Sequence, residues 1–201
     1  MTGAPPARGY ARGRARREEI LDAAMELFGE VGYHSASLRE IAQRVGISHP
    51  GLLHHFASKE LLLAAVLEMR DERDEARFGM ATAQGAGVLK GLLELVEDNA
   101  RNPRIVELFC VLSAEATSPD HPAHDYFRRR YANVAAQLTR ALADVAAEGG
   151  LRPGVEPDLA ARVVTAVMDG LQVQWLLDRS AVDMAAGLRA VLDSLLATPL
   201  R

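Results

Sequence analysis

The sequence holds a single cysteine, Cys110, in 201 residues. One thiol excludes an internal disulfide and any zinc cluster built from several thiolates, so a reducing compartment is the expected setting. Long apolar runs are missing as well. The longest extends only from Leu61 to Leu67, far short of the roughly 20 residues that a membrane-spanning helix requires, and no membrane partner is expected. The first 17 positions contain no acidic residue and no apolar core, only Arg8, Arg12, Arg14, Arg16 and Arg17 among small and polar residues. They lack the h-region of a secretory signal, which makes a cytoplasmic location the expectation. A glycine-rich phosphate loop and a nucleophile elbow are also absent, so nothing here points to an enzyme, and no cofactor or metal is expected.

What is present is an ordinary globular composition, 49% hydrophobic and 25% charged, sufficient for one or two modest domains. The net charge of −4 conceals an uneven distribution. Residues 1–60 carry +1 and the remainder −5, with the five arginines gathered at the start. This pattern predicts a basic, disordered arm over residues 1–13.

Helical periodicity dominates, and no strand pattern competes with it. Ile20, Leu21, Ala24, Leu27, Phe28 and Val31 wrap one apolar face of a first helix that stops at Gly32. Ser37-Leu38-Arg39-Glu40 is a capping box for a short second helix ending at Gly46. Ser48 caps a third, with Pro50 in its first turn, where a missing N–H costs nothing. Ser58 opens a long fourth helix whose second half, Glu68 to Glu75, reads as a charged rod. Further helices are expected at about 88–101, 103–117, 122–148, 157–178 and 184–197. The fold class is therefore all-α, with about nine helices.

Residues 37–56 form two short helices joined by a glycine-containing turn, which is helix-turn-helix spacing. Ile41, Ala42, Val45, Ile47 and Leu52 would pack the two helices together. Any tight helical hairpin shares this periodicity, so spacing alone leaves DNA binding as one reading among several.

The residues narrow the choice. Leu27-Phe28-Gly29-Glu30-Val31-Gly32-Tyr33, then Ile41-Ala42-Gln43-Arg44-Val45-Gly46-Ile47-Ser48, then Phe56-Ala57-Ser58-Lys59-Glu60 together resemble the N-terminal signature of the TetR family of bacterial transcriptional regulators. The resemblance implies a DNA-binding domain over residues 14–74 and an effector-binding and dimerisation domain over 80–201. It departs from the family at the recognition helix, where lysine-glycine-threonine before leucine-tyrosine is common. Here those positions read His49, Pro50, Gly51, Leu52 and Leu53, so the tyrosine that touches a phosphate is replaced by Leu53.

His49, Pro50 and Gly51 are expected to face base edges, with Arg39 or Arg44 nearby. Ser37, Ser48, Lys59, His54 and His55 are candidates for phosphate, and Arg12, Arg14, Arg16 and Arg17 for phosphate or the minor groove. As metal ligands, His49, His54 and His55 are badly spaced, because no two lie four apart on one helical face. His121 and His124 are better spaced, but beside Pro119 and Pro122 they also read as a helix entrance. Cys110 sits in an apolar stretch that suits a core thiol better than a nucleophile.

The helix expected at 157–178 is apolar almost all round, so both sides must be covered, and one side can meet its own domain and the other a second subunit. The family resemblance implies a homodimer through this helix and the last one, by way of Leu159, Val163, Val167, Gly170, Leu188, Val191, Leu192 and Leu195. A monomer with a well-filled core is the competing reading. The resemblance also implies a small-molecule pocket, with Phe109, Leu112, Tyr126, Tyr131, Met168, Gln172 and Trp175 as candidate lining. The expected function is a ligand-responsive repressor that binds a palindromic double-stranded DNA operator as a homodimer and leaves it when an effector binds. The alternative is a helical ligand-binding or scaffold protein that no longer binds DNA.

Overall fold

The computed structural model describes residues 8–79 and 82–200, and among them it contains nine α-helices and no strand beyond one isolated bridge between Leu151 and Leu196. They are α1 (Arg8–Ser35), α2 (Leu38–Val45), α3 (His49–His55), α4 (Lys59–Phe78), α5 (Ala86–Arg101), α6 (Pro103–Glu115), α7 (His124–Ala147), α8 (Pro157–Leu177) and α9 (Met184–Leu195). Ser48 Oγ accepts the Gly51 N–H at 3.1 Å, Ser58 Oγ that of Leu61 at 3.3 Å, and Asp183 that of Ala186 at 2.9 Å. These side chains satisfy backbone donors that a helix start leaves unpaired. At α2 the box is half realised. Ser37 Oγ accepts from the Arg39 N–H at 3.2 Å, while the Glu40 carboxylate takes Arg44 one turn on, also at 3.2 Å.

The arginine-rich start differs from the expected arm. From Arg8 the backbone is already helical, so Arg12 lies on α1. Alanine and arginine are strong helix formers, and the chain from Arg8 to Val31 contains no proline. Residues 1–7 of that expected arm lie outside the described residues. The other end of α1 is broken at Gly32, whose φ of 78° and ψ of 172° redirect Tyr33 to Ser35.

Two apolar cores stack along the molecule. In the first, Ile20, Leu27 and Phe28 of α1 meet Ile41, Leu52, Leu62 and Leu63. The second is built around Leu89, Leu138, Leu142, Val164, Leu188 and Leu192. Helix α6 belongs to both, since Leu108 and Leu112 are fully buried in the first and Val106 in the second. Each such side chain contributes roughly 1.5–3 kcal/mol of burial. The crossing of α1 and α6 is close, because a Cβ at Gly29 would come within 3.1 Å of the Leu108 backbone nitrogen. The loop before α5 therefore separates the helices in sequence but does not divide the packing.

Candidate DNA-binding face and internal cavity

The α2–α3 turn follows from Gly46, whose φ of 72° lies in the left-handed region. The Gly46 N–H donates to the Gln43 carbonyl at 3.1 Å and the Ile47 N–H to that of Ala42 at 2.9 Å, closing α2. On α3, Leu52 points into the core, Pro50, Leu53 and His54 are exposed, and His49, Gly51 and His55 are half-buried. Ser37 and Ser48, both exposed, sit at the starts of α2 and α3.

The cations expected at DNA divide into two groups. Arg12, Arg14 and Arg39 are exposed and make no ion pair or side-chain hydrogen bond among the described residues. The Arg17 guanidinium lies 4.9 Å from the Phe56 ring centroid and is also exposed. The others are committed within the protein. Arg16 pairs with Glu19 at 2.7 Å and donates to the Val45 carbonyl at 3.1 Å, tying α1 to the end of α2. Arg44 holds Glu30 of α1 at 2.9 and 2.6 Å, which keeps the Glu30 carboxyl below its usual pKa. Lys59 donates to the carbonyls of Tyr33, His34 and Ala36 at 2.8, 3.3 and 3.0 Å, and its ammonium lies 4.3 Å from the Tyr33 ring centroid. The broken end of α1 leaves carbonyls without partners, and Lys59 takes them.

That end of α1 is also held by the C-terminus of α6. Glu115 accepts the Tyr33 N–H at 2.7 Å, and the Tyr33 hydroxyl donates to Glu60 at 2.8 Å. His121 is buried against the same cluster, 5.1 Å from the Tyr33 ring and 5.4 Å from His34 between centroids. Its Nδ1 accepts the Ala123 N–H at 3.1 Å, while Nε2, 3.5 Å from Glu115, is buried without a hydrogen bond. Burial lowers the His121 pKa from its ordinary 6.5, against the opposing pull of Glu115. Above 6.5 the imidazole is neutral in both folded and unfolded chains; below it the unfolded chain takes the proton first. The stability held by this residue is therefore full above pH 6.5 and declines as the pH falls through the window beneath it. Thermal melts between pH 7.5 and about 5.5 should show a steeper loss in the wild type than in His121→Gln; parallel curves would refute this.

Five helices, α4 to α8, enclose a cavity of about 390 Å³, within the range usual for small-molecule sites. Of the expected lining, Phe109, Tyr131, Met168 and Gln172 are present. Leu112, Tyr126 and Trp175 are not part of it. Leu112 is fully buried in the first core, where α6 turns that side toward α1. Tyr126 lies one position before the lining residue Phe127 and donates its hydroxyl to Asp71 at 2.9 Å. Trp175 packs in the second core, 5.0 Å beneath the Arg179 guanidinium, which pairs with Glu107 at 2.7 Å.

Sequence reasoning missed the cavity's charged groups, Arg70, Asp74, Arg130 and Asp169. In the sequence, Arg70 and Asp74 read as part of the charged rod Glu68 to Glu75. Their signal was position, since Leu63, Val66, Leu67, Arg70 and Asp74 follow one another at steps of three, one, three and four along the buried side of α4. Arg70 is 4% exposed, pairs with Asp74 and donates to Asn99 Oδ1 at 3.1 Å. Burial pulls its pKa down to about 10, leaving it protonated at neutral pH. Arg130 pairs with Asp71, and its guanidinium stands 4.5 Å from the Phe109 ring centroid. The Tyr131 hydroxyl donates to Asp169 at 2.9 Å, and burial raises the pKa of both groups, that of Tyr131 to about 12. Cys110 is half-buried at the wall, 3.9 Å from Gln172 Oε1, and burial pushes its thiol up to about 11, which leaves it a poor nucleophile.

Of the residues expected at a dimer contact, Leu159 and Val163 are exposed and Val167, Gly170, Val191 and Leu195 half-buried. Leu188 and Leu192 are fully buried within the subunit, because α9 turns its stripe onto α5 and α8. The apolar stripe that α8 leaves open is Leu159, Val163, Ala166, Gly170, Val173 and Leu177, at steps of four, three, four, three and four. Leu159 is 63% and Leu177 84% exposed, and a Cβ at Gly170 would meet nothing within 4 Å.

A helix-turn-helix head packed on an α-helical body, with a cavity walled by α4 to α8, fits the class of helix-turn-helix transcriptional regulators. Residues 20–66 match the model of bacterial regulatory proteins of the tetR family, and residues 86–201, more than half the chain, match that of the BetI-type transcriptional repressor C-terminal domain. The chain belongs to the TetR family. It is 25% identical over 203 residues to the HTH-type transcriptional regulator UidR of Escherichia coli K12, covering 90% of this chain and 92% of that one. Salmonella enterica GusR superposes with a TM-score of 0.69 at 28% identity over 90% of this chain and 95% of its own. A complex of SmeT with triclosan, SmeT being the repressor of a Stenotrophomonas maltophilia efflux pump, has the same fold, with a TM-score of 0.72 at 22% identity over 89% and 88% of the two chains. No helix among the described residues is long and apolar enough to cross a membrane.

Proposed function

We propose that the protein is a cytoplasmic, ligand-responsive repressor that binds a palindromic operator as a homodimer and releases it when a small molecule occupies the cavity. The observation that carries this reading is the double duty of α6. It lines the cavity through Phe109, Cys110 and Ser113, and at its end Glu115 bonds directly to Tyr33 in the DNA-binding head. Helix α4 runs the same course, from Lys59 under the head to Arg70 and Asp74 in the cavity, and Arg73 ties it to Asp22 of α1 at 3.1 Å. A ligand that moves α4 or α6 moves the head, and with it the roughly 34–36 Å separation that two recognition helices need to enter successive major grooves. The ligand acts only to the extent that it binds the released state more tightly. The exposed stripe of α8 is the proposed two-fold contact, where Gly170 allows close approach of the partner helix.

On this reading the exposed, unpaired Arg14 and Arg39 contact phosphate, and His49, Pro50 and Gly51 meet base edges, with shape and thymine-methyl contact supplying part of the specificity. The test is selection of bound DNA from a random pool, followed by fluorescence anisotropy on the selected palindrome at several salt concentrations. Arg14→Ala and Arg39→Ala should each weaken binding about three- to thirtyfold. Because a dimer carries two copies, each should also reduce the logarithmic salt slope by about 1.8. Absence of any salt-dependent palindrome binding would instead support the scaffold reading.

A further inference from the structure

The cavity wall carries two cations, Arg70 and Arg130, and two acids, Asp74 and Asp169. Arg70, almost wholly buried, spends part of its fork on Asp74 and Asn99, but its Nε–H is buried with no hydrogen-bond partner. An unpaired guanidinium N–H in such surroundings is costly to keep and gains most from an acceptor oxygen. Arg130 lines the same cavity, and both guanidinium groups lie over the Phe109 ring, at 5.9 Å for Arg70 and 4.5 Å for Arg130. The two cations oppose one another, and the charge of Arg130 is among the causes that lower the pKa of Arg70.

The acids do not offer a matching place for a cation. Asp74 is already paired with Arg70, and Asp169 accepts from Tyr131 in a setting that favours its neutral form. Of the aromatic rings in the lining, Phe109 is covered by Arg130, and Phe127 packs against Phe109, Tyr126 and Tyr131, which takes up the faces a quaternary ammonium would stack on. The remaining wall is apolar, supplied by Leu95, Val106, Phe127, Val134 and Met168.

We propose that the cavity binds an amphipathic organic anion, an acidic oxygen headgroup on an apolar body, with the head accepting from Arg70 Nε and the Arg130 guanidinium. This rests on the effector-responsive reading above and names the ligand class for that same cavity. Bidentate guanidinium groups suit carboxylate-like oxygens, which fixes the head, while the wall accepts varied apolar bodies.

Three probes with the same body and different heads test it: decanoate, decyltrimethylammonium and decanol, each below the concentration at which it aggregates. Titration calorimetry on the full chain should show decanoate binding saturably and at least about tenfold tighter than the other two. Arg130→Gln, whose partner Asp71 remains at the surface, should weaken decanoate about ten- to a hundredfold and leave decanol unchanged. Arg70→Gln should do the same, and Arg130→Gln keeps the test decisive should Arg70→Gln fail to fold. Equal or tighter binding of the ammonium, indifference of decanoate to Arg130→Gln, or no decanoate binding would each overturn the proposal. Operator anisotropy run in parallel separates the two readings. Decanoate that binds without releasing DNA upholds the anion site and overturns the effector role. Release by the ammonium alone overturns the anion site and upholds that role.

Discussion

Val163→Asp is expected to turn the protein into monomers. Val163 is 43% exposed in the subunit and belongs to the open stripe of α8, so the aspartate costs the isolated fold little. In the proposed dimer the same position faces its symmetry mate, and two like charges would be buried together. Burying an unpaired charge costs about 3–5 kcal/mol, which is about two to four orders of magnitude in the dissociation constant. Sedimentation velocity should show the smaller species while far-ultraviolet dichroism stays unchanged. Operator affinity should fall in parallel, because a second half-site held at short range adds roughly a hundred- to ten-thousandfold to binding. Arg162→Ala, one residue away and paired with Asp158 at 3.4 Å, is the control and should remain dimeric. A Val163→Asp protein that still sediments as a dimer would place the interface elsewhere.

Gly32→Ala is expected to be the most destabilising change in the head. Two causes add at one residue. Alanine at a φ of 78° and ψ of 172°, a region open almost only to glycine, costs about 1–3 kcal/mol, and its Cβ would run into the Glu115 carboxylate. Displacing that carboxylate breaks its bond to the Tyr33 N–H, a charged acceptor contributing about 1.5–3 kcal/mol. The sum, about 3 kcal/mol or more, corresponds to a fall of about 6–12 °C in melting temperature for a chain of this size. Gly46→Ala is the milder comparison. Gly46, at φ 72° and ψ 33°, lies in the left-handed α region, which alanine enters at about 1–2 kcal/mol, and nothing lies within 4 Å of the added carbon, so only that smaller backbone cost should appear. A loss at Gly32 no larger than that at Gly46 would show that neither its glycine-only backbone region nor the Glu115 contact adds to the cost. Glu115→Gln keeps an acceptor and should cost less than Gly32→Ala, while weakening the link between cavity and head.

The two substitutions probe features that differ in how they could be read from the chain. Gly32 and Gly46 were visible as helix stops, because a residue free of Cβ strain marks the place where a helix turns away. That Gly32 also faces a carboxylate from α6 was not visible, since Glu115 lies 82 residues beyond its neighbour Tyr33 in sequence. The stripe of α8 was half legible. A helix apolar on every side must be covered twice, but periodicity does not say which side its own subunit takes. The packing of α9 against α5 and α8 decided that, sending Leu188 and Leu192 inward and leaving Leu159, Val173 and Leu177 open.

The cations show the same division. Arginines near a helix-turn-helix read alike in sequence, yet Arg44 and Lys59 are drawn to Glu30 and to the carbonyls at the broken end of α1, while Arg14 and Arg39 remain exposed. Local chemistry alone determined the helices, their caps, the recognition turn and the family, because those depend on neighbours within a few positions. Only the tertiary structure decided which charges are spent, and it alone enclosed the buried Arg70 of the charged rod within the cavity wall. Those outcomes depend on distant segments that compete for the same donors and surfaces.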